Sequence, residues 1–226
     1  AASFLGKGLA AFFIIPAYFE KNLVQIENLI RLDLNFRAHF VTINQLFFDR
    51  SWGYGSSSPG TNDTISFQIG TPHWWIVIGA FLIILMKLKS RRKIVLPLIL
   101  ISIFLLSLFM THDKSAFIWE KIDILKFTQF PWRFLALAIF SASLLGAFLI
   151  SSLKLRQVKL VAAILIILTI LLNWNYFRPD EFYFNLDDKQ KLSGILWETQ
   201  QKAAILDYLP KGAVQPREGA PDKPIV

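Results

Sequence analysis

Long apolar blocks that carry no acidic residue constrain this chain more than any other feature of its sequence. Each block is close to the ~20 residues that an α-helix needs to cross about 30 Å of hydrocarbon. A further block, residues 1–19, is interrupted only by Lys7, whose charged head can reach the lipid interface. We therefore predict an all-α polytopic membrane protein with about five transmembrane helices, at residues 1–19, 72–88, 94–110, 131–153 and 159–174.

The distribution of charge predicts the topology. Only 18% of the residues are charged, below the roughly 25% of a soluble domain. The basic residues of two short loops, 87–93 and 154–159, are accompanied by no Asp or Glu, which is typical of cytoplasmic loops. Since this excess of positive charge accounts for the net charge of +8, we expect no nucleic-acid partner.

The same topology places the other connections outside the cytoplasm and divides the chain into two parts. Residues 1–175 form the predicted transmembrane domain, and residues 176–226 form an extracytoplasmic segment, soluble in character, that ends in the start of a linker. Because the chain begins inside an apolar block and ends in a Pro-containing run, we expect it to be a fragment of a longer protein. No sequence feature indicates an oligomeric state.

Interfacial helices are predicted in the outer segments. In residues 22–48, Asn22 resembles a capping residue, and apolar residues recur at helical spacing. A second amphipathic stretch covers residues 113–129, with Phe117, Ile118 and Ile122 on one face. Asp187 or Asp188 caps a predicted helix in the last segment. We interpret residues 22–48 as one or two short helices that lie on the membrane surface, or as a lid over a lipid-facing cleft, and residues 113–129 as interfacial.

Two helices enter the membrane from outside with similar first turns, Thr71-Pro-His-Trp-Trp75 and Gln129-Phe-Pro-Trp-Arg133. Proline suits the first helical position, and the free N–H groups there attract anions. Arg133 opposes the helix dipole, so an anionic partner such as a lipid phosphate or diphosphate would resolve the conflict. The alternative is that Arg133 extends to ordinary headgroups or stacks on Trp132.

Glu20 and Asp63 are the candidate catalytic carboxylates. Glu20 ends the first predicted helix, where a negative charge is unfavourable, so we expect it to have a partner. A carboxylate of this kind could act as a general base toward a sugar or lipid hydroxyl. The alternative is an ion pair of Glu20 with Lys21 or Arg133.

Other classes of site have weaker sequence support. The chain has no Cys, and its three His residues show no ligand spacing, so we expect no metal site from them. A divalent metal stays open as a cofactor. Apart from Lys7, the apolar segments carry no ionisable residue between their ends, which disfavours ion-coupled transport.

Several motifs resemble those of a known family. They include Ala10-Ala-Phe-Phe-Ile-Ile-Pro-Ala-Tyr-Phe-Glu20, Trp52-Gly-Tyr-Gly-Ser56, Asp63-Thr-Ile-Ser-Phe-Gln-Ile-Gly70 and Gln129-Phe-Pro-Trp-Arg-Phe134. The series, which covers residues 1 to about 210, resembles bacterial polytopic membrane proteins with the 6-pyruvoyl-tetrahydropterin synthase-related membrane domain. Those proteins are similar to the GT-C superfamily of integral-membrane glycosyltransferases.

The resemblance implies a multi-pass enzyme of the bacterial inner membrane that moves a sugar from a polyprenyl-phosphate donor at the outer face. It implies a catalytic carboxylate upstream of residue 1, so the fragment alone would be inactive. Arg133, Trp132 and His73 would bind the substrate, with Glu20 and Asp63 in supporting roles. The alternatives are a non-catalytic scaffold or lipid-binding protein of envelope assembly, and a polysaccharide or lipid transporter.

The predicted topology is testable by cysteine labelling, because the chain has no cysteine of its own. In intact cells, Arg91→Cys should resist a membrane-impermeant maleimide, since its loop is predicted to be cytoplasmic, while Asn62→Cys should react. Labelling of Arg91→Cys from outside would overturn the orientation.

Overall fold

The computed structural model describes residues 2–30, 34–51, 55–86, 91–179, 181–203 and 208–213. The predicted motif at 52–54, part of the first basic loop at 87–90 and most of the predicted linker, from residue 214 onward, lie outside these ranges. The described part is mostly helical and holds no β-strand. The chain divides into two compact units, a smaller one formed by Ala1–Arg31 with Glu181–Val226, and a larger one formed by Leu32–Asp180.

The α-helices of the described ranges are numbered in chain order. They are α1 (Ala2–Glu20), α2 (Ile43–Phe47), α3 (Thr71–Met86), α4 (Arg91–Thr111), α5 (Ala116–Lys121), α6 (Asp123–Lys126), α7 (Leu135–Ser151), α8 (Leu155–Asn173), α9 (Asp188–Lys191) and α10 (Gly194–Ala203). Short 3₁₀ helices include Phe36–His39 and Asp113–Ser115 in the loops, Pro131–Phe134 before α7 and Trp174–Phe177 after α8.

Three segments are long and apolar enough to cross a membrane, which confirms the membrane character of the chain. They are Ile94–Thr111, Pro131–Ser151 and Gln157–Phe177. Helix α3 is apolar but shorter, with 16 residues. Helix α1 has 19 residues, with apolar side chains exposed around its length. The predicted count of five spans therefore stays a prediction, whereas three such segments are present within the described ranges.

Small residues bring the helices of the larger unit together. Helix α7 packs against both α3 and α4, and its Ala138 and Ala142 are fully buried. A Cβ atom added to Gly79 of α3 would lie 3.3 Å from the side chain of Leu149 of α7, so this leucine packs closely against the backbone of α3. By contrast, no residue of the Gln157–Phe177 segment is buried, so the apolar surface of this helix is available to lipid.

The two loops that the sequence predicts to lie outside the cytoplasm, residues 20–71 and 111–132, are named the first and second outer loops. Both attach to the C-terminal end of α4. The last carbonyl groups of a helix lack partners within it. The Met110 carbonyl accepts hydrogen bonds from Ser115 Oγ at 3.2 Å and from Trp119 Nε1 at 3.1 Å. The next carbonyl, that of Thr111, accepts the backbone N–H of Val41 at 2.9 Å. Residues far apart in sequence thus satisfy the end of one membrane helix.

A cluster of aromatic rings surrounds Trp119, which is fully buried. Phe36 stacks on its indole with ring centroids 5.5 Å apart, and Phe40 and Phe134 meet it edge to face at 6.2 and 5.7 Å. Such pairs add to the stabilisation that comes from burial alone. This Trp119 cluster joins the first outer loop, the second outer loop and the start of α7.

The described part of residues 22–48 is divided into more short helices than the one or two that the sequence predicts. The chain forms short 3₁₀ helices and α2, and Asn22 lies inside the first of those turns. The capping box lies instead at Thr42, whose side chain accepts from Gln45 N at 3.3 Å while Gln45 Oε1 accepts from Thr42 N at 2.9 Å. The apolar residues do not share a face, because Phe36 is buried and Ile43 is exposed.

The other two predicted outer helices are also broken. Helix α5 ends before Ile122, so the stretch 113–129 is not one amphipathic helix, and the aromatic residue that it buries is Trp119 rather than Phe117. The cap at Asp187 is confirmed, since its side chain accepts from Gln190 N at 2.7 Å. The helix that it starts is short, and a second helix begins at Gly194, which has a φ of 62°.

Replacement of Trp119 tests the importance of the aromatic cluster. Trp119→Ala should lower the free energy of unfolding by about 3 to 5 kcal/mol, because it removes a buried ring and leaves a cavity. The measurement is unfolding in mixed micelles. Trp75→Ala is the matched control, because 49% of this indole is exposed. Equal effects of the two substitutions would show that the cluster is not a core.

Candidate functional site

The start of α7 has the geometry that the sequence predicts for a helix beginning at Pro131. Pro131 is the first residue of the 3₁₀ turn and is fully buried. Gln129, two residues earlier, has a φ of 63°, a left-handed conformation that is uncommon for residues other than glycine. The Thr128 carbonyl accepts the N–H of Phe130 at 2.7 Å. A tight, strained turn therefore presents the first residues of α7, and such strain is often found at functional sites.

Arg133 is exposed at this turn and is held by two neighbours. Its Nη1 donates to the Thr128 carbonyl at 2.8 Å, and its guanidinium carbon lies 5.0 Å from the centre of the Phe130 ring. The guanidinium group of Arg133 thus lies over the ring of Phe130, whereas the alternative given from the sequence was stacking on Trp132. Neither partner is a carboxylate, so these contacts orient the cation without neutralising it.

Trp132 packs inward beside Arg133. Its ring stacks on Phe130 with centroids 5.4 Å apart and lies 5.8 Å from Phe67. The indole Nε1 is buried and has no hydrogen-bond partner in the part of the chain that the structure describes. Since a buried N–H group without an acceptor is unfavourable, an acceptor at this point would stabilise the site.

The start of α3 carries a second unsatisfied nitrogen. The Gly70 carbonyl, at a residue with a φ of 90°, accepts the N–H of His73 at 3.2 Å, and His73 Nδ1 is buried with no hydrogen-bond partner found for it among the described residues. A Cβ atom on Gly70 would lie 3.2 Å from this Nδ1 and 3.7 Å from Asn173 Oδ1. The His73 ring therefore lies at the point where the start of α3 meets the end of α8.

Arg50 is a cation at the start of α3 that sequence reasoning missed. Its Nη2 donates to Thr71 Oγ1 at 2.7 Å. Thr71 is the first residue of α3, so both outer helix starts carry a guanidinium group. No local pattern could have revealed this, because the two residues lie 21 positions apart.

Asp63 holds the first outer loop together. Its Oδ1 accepts the N–H of Ser58 at 2.9 Å, and its Oδ2 accepts from Nε2 of the buried Gln45 at 2.8 Å. Gln45 Oε1 in turn accepts from Thr42 N and Thr42 Oγ1, so the amide is fixed in one orientation. This chain of hydrogen bonds makes Asp63 a positioning residue in the described geometry.

Glu20 belongs to the smaller unit, where it is the exposed last residue of α1. The predicted ion pair with Lys21 is absent from the described residues, since Lys21 Nζ lies over the Tyr18 ring, 4.9 Å from its centre. The structure therefore groups Arg133, Trp132, His73 and Asp63 in the larger unit and Glu20 in the other.

The other two histidines have structural partners. His39 is buried, with Nδ1 2.8 Å from Ser57 Oγ and its ring edge toward Phe130 at 4.7 Å. His112 Nδ1 lies 2.6 Å from the carboxylate of Asp113. In the described ranges no group of three or more His, Asp or Glu residues is arranged to hold a metal ion.

No family model, no curated protein and no solved structure matches this chain. The resemblance to GT-C glycosyltransferases therefore stays an expectation from the sequence motifs.

The role of Asp63 can be tested by an isosteric change. Asp63→Asn places an NH₂ group against either Gln45 Nε2 or the N–H of Ser58, both of which are donors. We expect the free energy of unfolding to fall by about 1 to 3 kcal/mol, the cost of a buried unsatisfied donor. The measurement is thermal unfolding in detergent.

Asp49→Asn is the matched control for that experiment. The Oδ1 atom of Asp49 accepts the N–H of Ser51 at 2.8 Å, and an asparagine keeps this acceptor. If both variants are as stable as the native chain, the hydrogen bonds of Asp63 do not stabilise this loop. Asp63 would then be a stronger candidate for the catalytic base.

Proposed function

We propose that this chain is the membrane part of a GT-C-like glycosyltransferase of the bacterial inner membrane. Its substrate would be a sugar linked to a polyprenyl phosphate, bound at the outer ends of α3 and α7. The observation that supports this proposal most strongly is Arg133, an exposed guanidinium at the first turn of an apolar helix with no carboxylate among its described partners. The sequence motifs supply the enzyme class.

A phosphate group suits this position for electrostatic reasons. A cation in the first turn of a helix opposes the positive end of the dipole, and an anion that contacts both is favourable. The guanidinium fork makes paired, charge-assisted hydrogen bonds to phosphate. Phe130 and the Thr128 carbonyl already restrict the side chain of Arg133, so less conformational entropy is lost on binding.

The buried nitrogens near the helix starts are the proposed polar contacts for the rest of the donor. Both nitrogens are buried, so the side chains that cover them would have to move for a ligand to reach them. Trp132 Nε1 can then donate to a phosphate or sugar oxygen, and His73 Nδ1 can donate or accept. Arg50 would supply a further positive charge at the start of α3. The apolar polyprenyl chain would extend along the lipid-facing helices.

In the proposed transfer, a carboxylate takes the proton of the acceptor hydroxyl as its oxygen attacks the anomeric carbon. The bond between that carbon and the phosphate oxygen breaks, and the polyprenyl phosphate leaves with its electron pair. Arg133 would stabilise the charge that develops on the leaving group. Because both oxygens of Asp63 accept hydrogen bonds within its loop, Asp63 is better suited to positioning than to proton transfer. Glu20 stays a candidate base.

The arrangement of Asp63 favours a second candidate function. A lipid-phosphate-binding scaffold of envelope assembly would need the cations and the aromatic rings but no free carboxylate. Binding and transfer therefore have to be measured separately.

The binding step is tested by Arg133→Ala. We expect the affinity for farnesyl phosphate in detergent micelles to fall by about tenfold or more, because a charge-assisted hydrogen bond contributes about 1.5 to 3 kcal/mol. The affinity of Arg133→Lys should lie between those of the native chain and of Arg133→Ala, since lysine keeps the positive charge but lacks the two-pronged guanidinium group. Isothermal titration calorimetry measures each affinity.

Arg37→Ala is the matched control, because Arg37 is an exposed outer arginine already paired with Glu120 at 2.7 Å. Farnesol, which lacks the phosphate, should bind the native chain and the Arg133 variants equally. Unchanged farnesyl phosphate affinity in Arg133→Ala would remove Arg133 from the site. Normal binding without transfer of a polyprenyl-phosphate-linked sugar would favour the scaffold.

A further inference from the structure

An exposed aromatic turn lies in the smaller unit, shortly after the last apolar helix. Phe182, Tyr183 and Phe184 are 65, 69 and 88% exposed. Large exposed apolar groups that lie together are unusual on a soluble surface and indicate an interaction site. The sequence-based description of this segment as soluble in character therefore does not account for it.

The turn holds its rings in a defined arrangement. The N–H of Leu186 donates to the Tyr183 carbonyl at 3.4 Å, which closes the turn. The rings of Phe182 and Phe184 stack with centroids 5.6 Å apart and an angle of 19° between them. Two exposed rings thus form one compact apolar projection.

Connectivity keeps this projection close to the membrane. The Gln157–Phe177 segment is long and apolar enough to span a bilayer, and Phe182 follows its end by five residues. Five residues reach at most about 18 Å when fully extended. The headgroup region lies beside the end of that span, so the turn is within its reach.

The charge of this segment distinguishes between ways of binding lipid. Residues 178–188 contain Arg178 and four acidic residues, so their net charge is +1 − 4 = −3. Such a segment is not attracted to anionic headgroups. Aromatic side chains, by contrast, favour the interface between headgroups and hydrocarbon whatever the headgroup charge.

We propose that the turn formed by Phe182, Tyr183 and Phe184 inserts into the interfacial layer of the bilayer at the end of α8. The two stacked phenyl rings contact the upper acyl chains, and the Tyr183 hydroxyl lies among the headgroups. The turn thereby attaches the smaller unit to the membrane surface. This proposal is independent of the glycosyltransferase function.

A site-directed fluorescence experiment tests the insertion in the full chain. Phe184→Cys is labelled with an environment-sensitive NBD group, which is specific because the chain has no other cysteine. The labelled protein is reconstituted into phosphatidylcholine vesicles. We expect blue-shifted emission, quenching by lipids with a nitroxide high on the acyl chain, and several-fold weaker quenching by iodide than for the control. The control is Lys189→Cys, an exposed position on α9.

Two further measurements make the test specific. Adding Phe182→Ser to the labelled variant should reduce quenching by the nitroxide lipid, because the remaining phenyl ring of the turn is lost. Raising the salt concentration from about 0.1 M to about 1 M, which shortens the Debye length from about 10 to about 3 Å, should leave it unchanged. Loss of lipid quenching at high salt would contradict an apolar mode of insertion.

Two other outcomes would overturn the proposal. Iodide access equal to that of Lys189→Cys would show that the turn lies in water. Protection from both iodide and the nitroxide lipids would show that protein covers the turn, either another part of this chain or a second copy.

Discussion

The hydrogen bonds at the end of α4 are the interaction on which the outer part of the larger unit depends. A membrane helix must satisfy its last carbonyl groups, and there is little water near the hydrocarbon to do so. Here the Met110 carbonyl accepts hydrogen bonds from the side chains of Ser115 and Trp119, and the Thr111 carbonyl accepts one from the backbone N–H of Val41. A requirement of the helix backbone is therefore met by side chains and backbone of both outer loops. The loops are attached to the bundle by the same bonds that end the helix.

The position of Arg133 follows from this attachment through a series of aromatic contacts. Phe130 meets the edge of His39 at 4.7 Å, stacks on Trp132 and lies under the Arg133 guanidinium. His39 is in turn held by Ser57. Packing rather than a counter-charge thus orients Arg133. Its charge remains available to an anionic ligand, unlike that of an arginine paired with a carboxylate.

The features that could be predicted from the sequence are those set by local chemistry. The apolar blocks predicted the long helices, Pro131 predicted the start of the turn before α7, and Asp187 predicted a cap. The apolar face of residues 22–48 was not predicted correctly, because two of its aromatic residues, Phe36 and Phe40, pack around Trp119, which is distant in sequence. The role of Asp63 escaped prediction for a similar reason, since its two partners come from different turns of the chain. The sequence makes Asp63 a candidate base, whereas in the fold its carboxylate accepts two hydrogen bonds that stabilise its loop.

Helix α8 shows how one polar contact can matter in a helix otherwise exposed to lipid. None of the Gln157–Phe177 segment is buried, so apolar packing does little to fix the helix within the unit. Near its end, Asn173 Nδ2 donates to the Thr169 carbonyl at 2.7 Å, and this amide lies beside Gly70 at the start of α3. A Cβ atom at position 70 would meet this amide at an ordinary contact distance of 3.7 Å and His73 Nδ1 at a tight 3.2 Å, and the φ of 90° at Gly70 is the stronger reason for glycine. Because His73 Nδ1 lies at the same point, a displacement of α8 would change the surroundings of a proposed ligand-binding nitrogen. The geometry of the helix end and the chemistry of the site are therefore coupled through Gly70.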